Sequence, residues 1–547
     1  MSDLIYQERE LEEIDSVWVI EAPGKIRHMK AVLESLGYKP EIVATRGHFI
    51  KMPEGLDKTG IDSDMTEFAR EANPDVVLRL NEAISRLPEE DGRVYIATDA
   101  DMEGDVIAVD VYDTIEEMFP SAVRVKLKGL DKTSIQEAID DATPIDRSEA
   151  IPGRTRAVVD RLIGAGFARK GIAAGRVRSA ILGLVAKGNL TPYKLFLEAP
   201  SQEGAAPWTV STNVVHPLNH EVAHALAQVK FPPLEEGRKE FIVSPPDDMG
   251  RIMVKAGDSL DMSPADTASA MQSAYESGRL SYPRSDVQAL SEAAASKVSS
   301  SFRKSGQQFK RNIVKIKGLE DVHDSPYPIG DFNINHDPEA LGASEGIRVL
   351  IGRNLLKAGQ QRKTSFHVKG PIEAHLKRLG FSEEIAQFVD NLTWVRDMGP
   401  RIPGDDVKQG VVTRRPDTVL LEACVDSGLG RPSTYAKHIQ QFMEQNLIGP
   451  DMRLTQVGRD LAARTPKIMM DPNLSKAIEM ACKVPTSAVA GKEAWQVLAG
   501  KIVANLPAEL KQTMTSAMEK KPEVSTPAHT LESNEGTSRI KPSFDMG

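Results

Sequence analysis

A chain of 547 residues is longer than one hydrophobic core sustains, so three or four domains are expected. Hydrophobic residues make up 40% and charged residues 27%, an ordinary soluble composition, and no apolar run approaches the ~18 residues of a membrane span. The acidic start MSDLIYQERELEEIDS is unlike a secretory signal. Two cysteines, Cys424 and Cys482, support neither a disulfide framework nor a C-x-x-C zinc site, so a cytoplasmic protein without zinc is expected.

The first strand expected is SVWVIEA, followed by a helix, HMKAVLESLG, closed by Gly37. EIVAT, RVYIATDAD and VRVKLKG read as further strands, with helices at EANPDVVLRLNEAISRL, from about 105 to 118, and at KTSIQEAIDDA. This alternation predicts a mostly parallel α/β sheet. The pattern turns helical after residue 151. Between 201 and 262 it becomes short strands with Pro and Gly breaks (APWTVSTNVVHP, KEFIVSPPDD, RIMVKAG), and from 263 to 400 and 417 to 508 it is mainly helical again. The polar tail from Lys520 reads as disordered.

The net charge of −10 hides a segregated distribution. Residues 54–91 hold eleven acids against four bases; residues 151–200 hold nine Lys and Arg against Asp160 and Glu198; residues 301–317 hold six bases and no acid. Such segregation predicts a local phosphate-binding surface, with solvated helix faces as the equal alternative.

Two segments carry chemistry. VYIAT runs into Asp99, Ala100, Asp101, Met102, Glu103 and Gly104. Alternate residues of an extended segment share a face, so Asp99, Asp101 and Glu103 are expected to converge where a divalent cation offsets their repulsion. The first strand delivers Glu21 and Lys25 to the same edge if both strands are central. In the second segment, GRLSYPRSD, Tyr282 is followed by Arg284, whose guanidinium would favour the phenolate and bind a phosphate.

Glu21 with Pro-Gly-Lys, followed by Asp99-x-Asp101, resembles the Toprim domain of topoisomerases and primases. SYPRSD is similar to the Thr-Tyr-x-Arg-Thr-Asp stretch of type IA topoisomerases, AGRVRSAIL to their Gly-Arg-Val-Gln-Ser motif, VHDSPYPIG to their histidine segment, and GLGRPSTY to their Gly-Ile-Gly-Arg-Pro-Ser-Thr-Tyr motif. Departures are Met102, where the family has arginine, Arg178 for glutamine, and residues 324–327 after the histidine.

The resemblance implies a multidomain torus: a Toprim domain at 1–147, a helical DNA-binding domain at 148–200 and 405–515, a β-rich hinge at 201–262 and 365–404, a tyrosine domain at 263–364, and a disordered tail at 516–547. It implies a monomer acting on single-stranded DNA through a 5′-phosphotyrosyl link, using Mg²⁺ without ATP. Tyr282 would be the nucleophile and Glu21 the general acid, with Lys25, Arg284 and His323 assisting and Asp99, Asp101 and Glu103 holding the metal. Arg154, Arg161, Arg176, Arg178, Ser179, Arg431, Ser433 and Thr434 would contact DNA, and a separate accessory protein is a possible partner. A Toprim primase or nuclease, and a silent DNA-binding relative, are the competing readings.

Overall fold

The computed structural model describes residues 13–521 except 173, 202–205, 315–322 and 405–407. The expected acidic start, part of the basic 301–317 run and the 522–547 tail lie outside the described residues.

In chain order the strands are β1 (Ser16–Ile20), β2 (Pro40–Ala44), β3 (Ile50–Lys51), β4 (Glu71–Ala72), β5 (Arg93–Ile96), β6 (Val123–Arg124), β7 (Thr143–Pro144), β8 (Tyr193–Ala199), β9 (Trp208–Asn213), β10 (Glu236–Ile242), β11 (Arg362–His367), β12 (Val395–Asp397) and β13 (Gly410–Thr413). The N-terminal sheet has the order β2-β1-β5-β6-β7, parallel except for the last pair. β1 is central and every residue of it is buried. Its alternation feeds two layers: Val17 and Val19 pack with Ile96 and Ile107, while Trp18 and Ile20 pack with Tyr95, Met29 and Leu127. Trp18 stacks on Tyr95 with ring centroids 4.1 Å apart. Tyr275 and Tyr282, far along the chain, complete that second layer.

The six-stranded sheet has the order β10-β11-β12-β9-β8-β13, so it gathers strands from residue 193 to residue 413, wider than the 201–262 and 365–404 spans expected for a β-rich unit. RIMVKAG, expected as a strand, lies in the helix Met249–Leu260. The reason is legible in hindsight: Met249, Ile252, Met253 and Ala256 recur at helical spacing and are buried, and Asp248 caps the start by accepting from Arg251 N. Helix Ile151–Ala168 packs against the late helices Ala494–Asn505 and Ala508–Ala517 through Val158, Leu162, Trp495, Leu498 and Met514. The expected disordered tail from 516 therefore starts too early: Glu519 is tied down by its amide to Ile61 O (2.9 Å) and by its carboxylate to Arg169 (2.7 Å). Among the described residues no helix is long and apolar enough to cross a membrane.

Helix Arg176–Ala186 touches the 3₁₀ turn Lys467–Met470 so closely that a Cβ on Gly183 would stand 1.9 Å from Met470 O. Gly183→Ala is expected to destabilise the protein by ~1–3 kcal/mol through overpacking, read as a lowered urea midpoint; an unchanged midpoint would contradict the contact.

Candidate active site

β1 and β5 are adjacent and parallel, so their carboxyl ends share one edge of the sheet. Glu21 follows β1 directly and accepts from Asp99 N at 3.0 Å through Oε1. A 3₁₀ turn, Pro23–Lys25, folds Lys25 back beneath the edge, where it forms a buried ion pair with Asp99. Asp101 caps helix Met102–Ile115, accepting from Gly104 N at 2.8 Å. Only glycine fits at 104, because a Cβ would meet Asp99 O at 2.0 Å and Glu21 Oε1 at 2.9 Å. Arg124, itself buried, braces the loop from beneath by donating to Thr98 O and Asp99 O (3.0 and 2.9 Å) and pairing with Asp105.

The tyrosine segment closes over this edge. Tyr282 N donates to Lys128 O (2.9 Å), and the Tyr282 hydroxyl donates to Asp101 Oδ2 (2.5 Å). Tyr275, on helix Pro264–Glu276, donates to Asp99 Oδ1 (2.9 Å), and Lys25 Nζ lies 4.9 Å from its ring centre. The Tyr282 ring meets Tyr275 edge-on at 5.6 Å and His323 at 4.8 Å. Among the described residues both ring nitrogens of His323 are buried without a hydrogen-bond partner, a costly arrangement that a polar ligand would relieve. Gly278, at φ +70°, permits the approach: a Cβ there would stand 2.5 Å from His28 Nε2.

Electrostatics follow from burial. Glu21 is pushed up to about 7, first by burial and then by Asp99. Burial, then Asp101 and Asp99, hold the Tyr282 phenol well above its ordinary value, with Arg284 opposing. Arg284 is raised: burial works against its charge, but Tyr282, Asp99, Asp101 and Glu21 outweigh it. His323 is lowered, chiefly by burial. Three carboxyl groups thus face two cations, Lys25 and Arg284, and a proton on Glu21 restores the balance.

Glu103 does not join them. It pairs with Arg156 and meets His48 Nε2 at 2.7 Å, because the helix begins at Met102 and the period changes from two to 3.6 just before it. Among the described residues no group of three His, Cys, Asp or Glu side chains is arranged to hold a metal. The donor chemistry of Glu21, Asp99 and Asp101 still fits Mg²⁺, which takes one or two carboxylates and fills its shell with water or phosphate oxygen.

The candidate DNA contacts separate. Arg176 is buried and spent on Asp160 (2.7 and 3.0 Å) and Glu479 (3.0 Å). Arg154 lies over Trp495 at 4.3 Å and pairs with Glu67. Arg161 clips the backbone carbonyls of Pro53, Gly55, Lys58 and Thr59. Ser179 is buried. Arg431 pairs with Glu479 and reaches Met102 Sδ at 3.0 Å, bringing a guanidinium to the acidic loop. Arg178 donates to the uncharged Gln445, and Ser433 is exposed. Thr434 holds the N-cap position of helix Tyr435–Glu444, yet its side chain makes no cap bond and turns to Arg431 O. Tyr275, Gly104 and Arg124 escaped sequence reasoning. Only Gly104 left a signal, as the last residue of Asp-x-Asp-x-Glu-Gly.

Residues 16–128 match the Toprim domain family. Beyond them, a Helicobacter pylori protein named DNA topoisomerase 1 is 24% identical over 505 residues, 79% of this chain. Over most of its length the chain is similar to proteins named DNA topoisomerase 1. A mimivirus protein named "DNA topoisomerase 1 type prokaryotic" is 31% identical over 147 residues, 27% of this chain. The chain spans 66% of the Helicobacter topoisomerase and 16% of the viral one. The fold is that of the full-length topoisomerase I of Thermotoga maritima, with a TM-score of 0.58 at 17% identity, covering 92% of this chain and 90% of that one.

Because the folded protein keeps a proton on Glu21 up to about pH 7, whereas the unfolded chain releases it near ~4.5, stability falls as pH rises through that window, by at most ~3 kcal/mol. Glu21→Gln is expected to raise the urea midpoint of metal-free protein at pH 8 and change it little at pH 4.5. An equal change at both would contradict the raised Glu21.

Proposed function

We propose that this chain is a type IA DNA topoisomerase, cutting one DNA strand through Tyr282, passing another through the gap and resealing without ATP. The observation that carries the reading is the Tyr282 hydroxyl donating to Asp101, across 181 residues of sequence, where a Toprim primase or nuclease would have no use for a tyrosine.

In the proposed cleavage, Tyr282 Oη attacks the phosphorus of a single-stranded phosphodiester. The new O–P bond forms as the P–O3′ bond breaks. The phenol proton passes to Asp101, which already accepts its hydrogen bond, and Glu21, protonated below about pH 7, gives its proton to the departing 3′-oxygen. Arg284 stabilises the phenolate and the phosphoryl oxygens, Lys25 holds the Asp99 carboxyl in place through their ion pair, and a ring nitrogen of His323 finds in the phosphate the partner it lacks among the described residues. Resealing runs the same steps backwards, the bond energy being kept in the phosphotyrosine.

Glu21, Asp99 and Asp101 would hold Mg²⁺, which when bound neutralises phosphate charge and orients DNA for resealing. We assign the single strand to the surface of Arg178, Ser433 and Thr434, and Arg431 to the role that arginine at position 102 has in the family. The division into Toprim, tyrosine, β-rich and helical domains follows the same reading, with the tyrosine segment lifting off the sheet edge to open the gate. Opening would break the bonds from Tyr282 to Asp101, Tyr275 to Asp99, and Lys297 to Glu137 (2.6 Å).

Incubated with labelled single-stranded DNA and then denatured, wild type is expected to give a covalent adduct and Tyr282→Phe none. An adduct with Tyr282→Phe would overturn the mechanism, and no wild-type adduct would favour the silent DNA-binding relative. His323→Ala is expected to slow adduct formation by ~10²-fold. Relaxation of negatively supercoiled plasmid should proceed without ATP and stop when EDTA removes the metal.

A further inference from the structure

We propose that His220 and His224 form a binding site for a zinc-type divalent transition-metal ion, on the helix that covers the six-stranded sheet and apart from the carboxylate site. The sequence there reads Asn219, His220, Glu221, Val222, Ala223, His224, and the His-Glu-x-x-His spacing puts both imidazoles on one helix face. Asn219 fixes where the helix begins, its side chain accepting from Val222 N at 2.9 Å. Ala223, Leu226 and Ala227 are buried against the sheet, which turns His220 and His224 outward, and both are exposed.

Their geometry matches a chelate. The two Nε2 atoms stand 3.1 Å apart with ring centroids 4.4 Å apart. An ion at the usual ~2.0–2.1 Å from each imidazole nitrogen would subtend about 100° between them, which lies between an octahedral cis pair and a tetrahedral pair. The Tyr193 ring, 4.5 Å from that of His220, backs one imidazole and limits its rotation, so part of the ordering cost is met before the ion arrives. Paired imidazoles favour zinc, copper or nickel over magnesium, which the oxygen donors of the sheet edge suit instead. Among the described residues no third His, Cys, Asp or Glu side chain joins the pair. Water would complete the shell, and among the described residues the three-ligand set of a zinc hydrolase is not assembled. A bound ion bridges the first and second turns of the helix and holds them closed.

The test is a zinc titration of the full chain in excess Mg²⁺, which occupies the carboxylate site, followed by calorimetry or by competition with a chromophoric chelator. Wild type is expected to show a zinc site at least tenfold tighter than any left in the His220→Asn/His224→Asn double variant. Each single variant should lose it as well, since each removes half the protein donors. Circular dichroism and plasmid relaxation in Mg²⁺ should be the same for all four proteins, which excludes misfolding. An unchanged isotherm in the double variant, or no zinc site in the wild type, would overturn the proposal.

Discussion

Carboxyl groups brought together at the ends of two buried strands repel one another, and the way this chain offsets that repulsion organises the site. Glu21, Asp99 and Asp101 meet at one sheet edge because β1 and β5 are adjacent and parallel. Lys25 supplies one charge from the same layer. The rest comes from elsewhere in the chain: Arg284, and the hydroxyls of Tyr275 and Tyr282 donating to Asp99 and Asp101. Away from the tyrosine segment the carboxylates would need water or a cation. In the proposed mechanism, closing the joint and assembling the chemistry are therefore one event.

Much of this joint was legible. Glu21 and Asp99 stand where their strands end, and the alternation of strands and helices pointed to the mostly parallel sheet that carries them. What could not be read locally depended on where an element starts or on contacts distant in sequence. Glu103 left the acidic group because helix geometry begins at Met102. Tyr275 looked like one more residue of an apolar helix, and its bond to Asp99 spans 176 residues. RIMVKAG was too short a window to separate a strand from an amphipathic turn.

The basic stretch teaches a different lesson. Nine bases in residues 151–200 suggested a phosphate surface, yet Arg154, Arg161 and Arg176 are held by Glu67, by backbone carbonyls and by Asp160 with Glu479. Charges that look unbalanced over fifty residues meet partners elsewhere in the chain, Glu67 lying 87 residues from Arg154 and Glu479 lying 303 from Arg176. Breaking buried pairs such as those of Arg176 costs roughly 3–5 kcal/mol, so these arginines hold segments of the chain together. The same arrangement brings Arg431 to Met102, so a cation is present at the acidic loop although position 102 itself carries none.

The central claim is that Tyr282 and the sheet-edge carboxylates form one site for a DNA strand. Its most direct test is the chemistry of the trapped adduct: digest it with nuclease and protease, and identify by mass spectrometry the modified peptide and the linkage. The account predicts a nucleotide joined through its 5′-phosphate to Tyr282, formed by wild type and lost in Glu21→Ala/Asp101→Asn protein that still folds. A nucleotide on another residue, a 3′ linkage, or an adduct undiminished without the two carboxylates would contradict it.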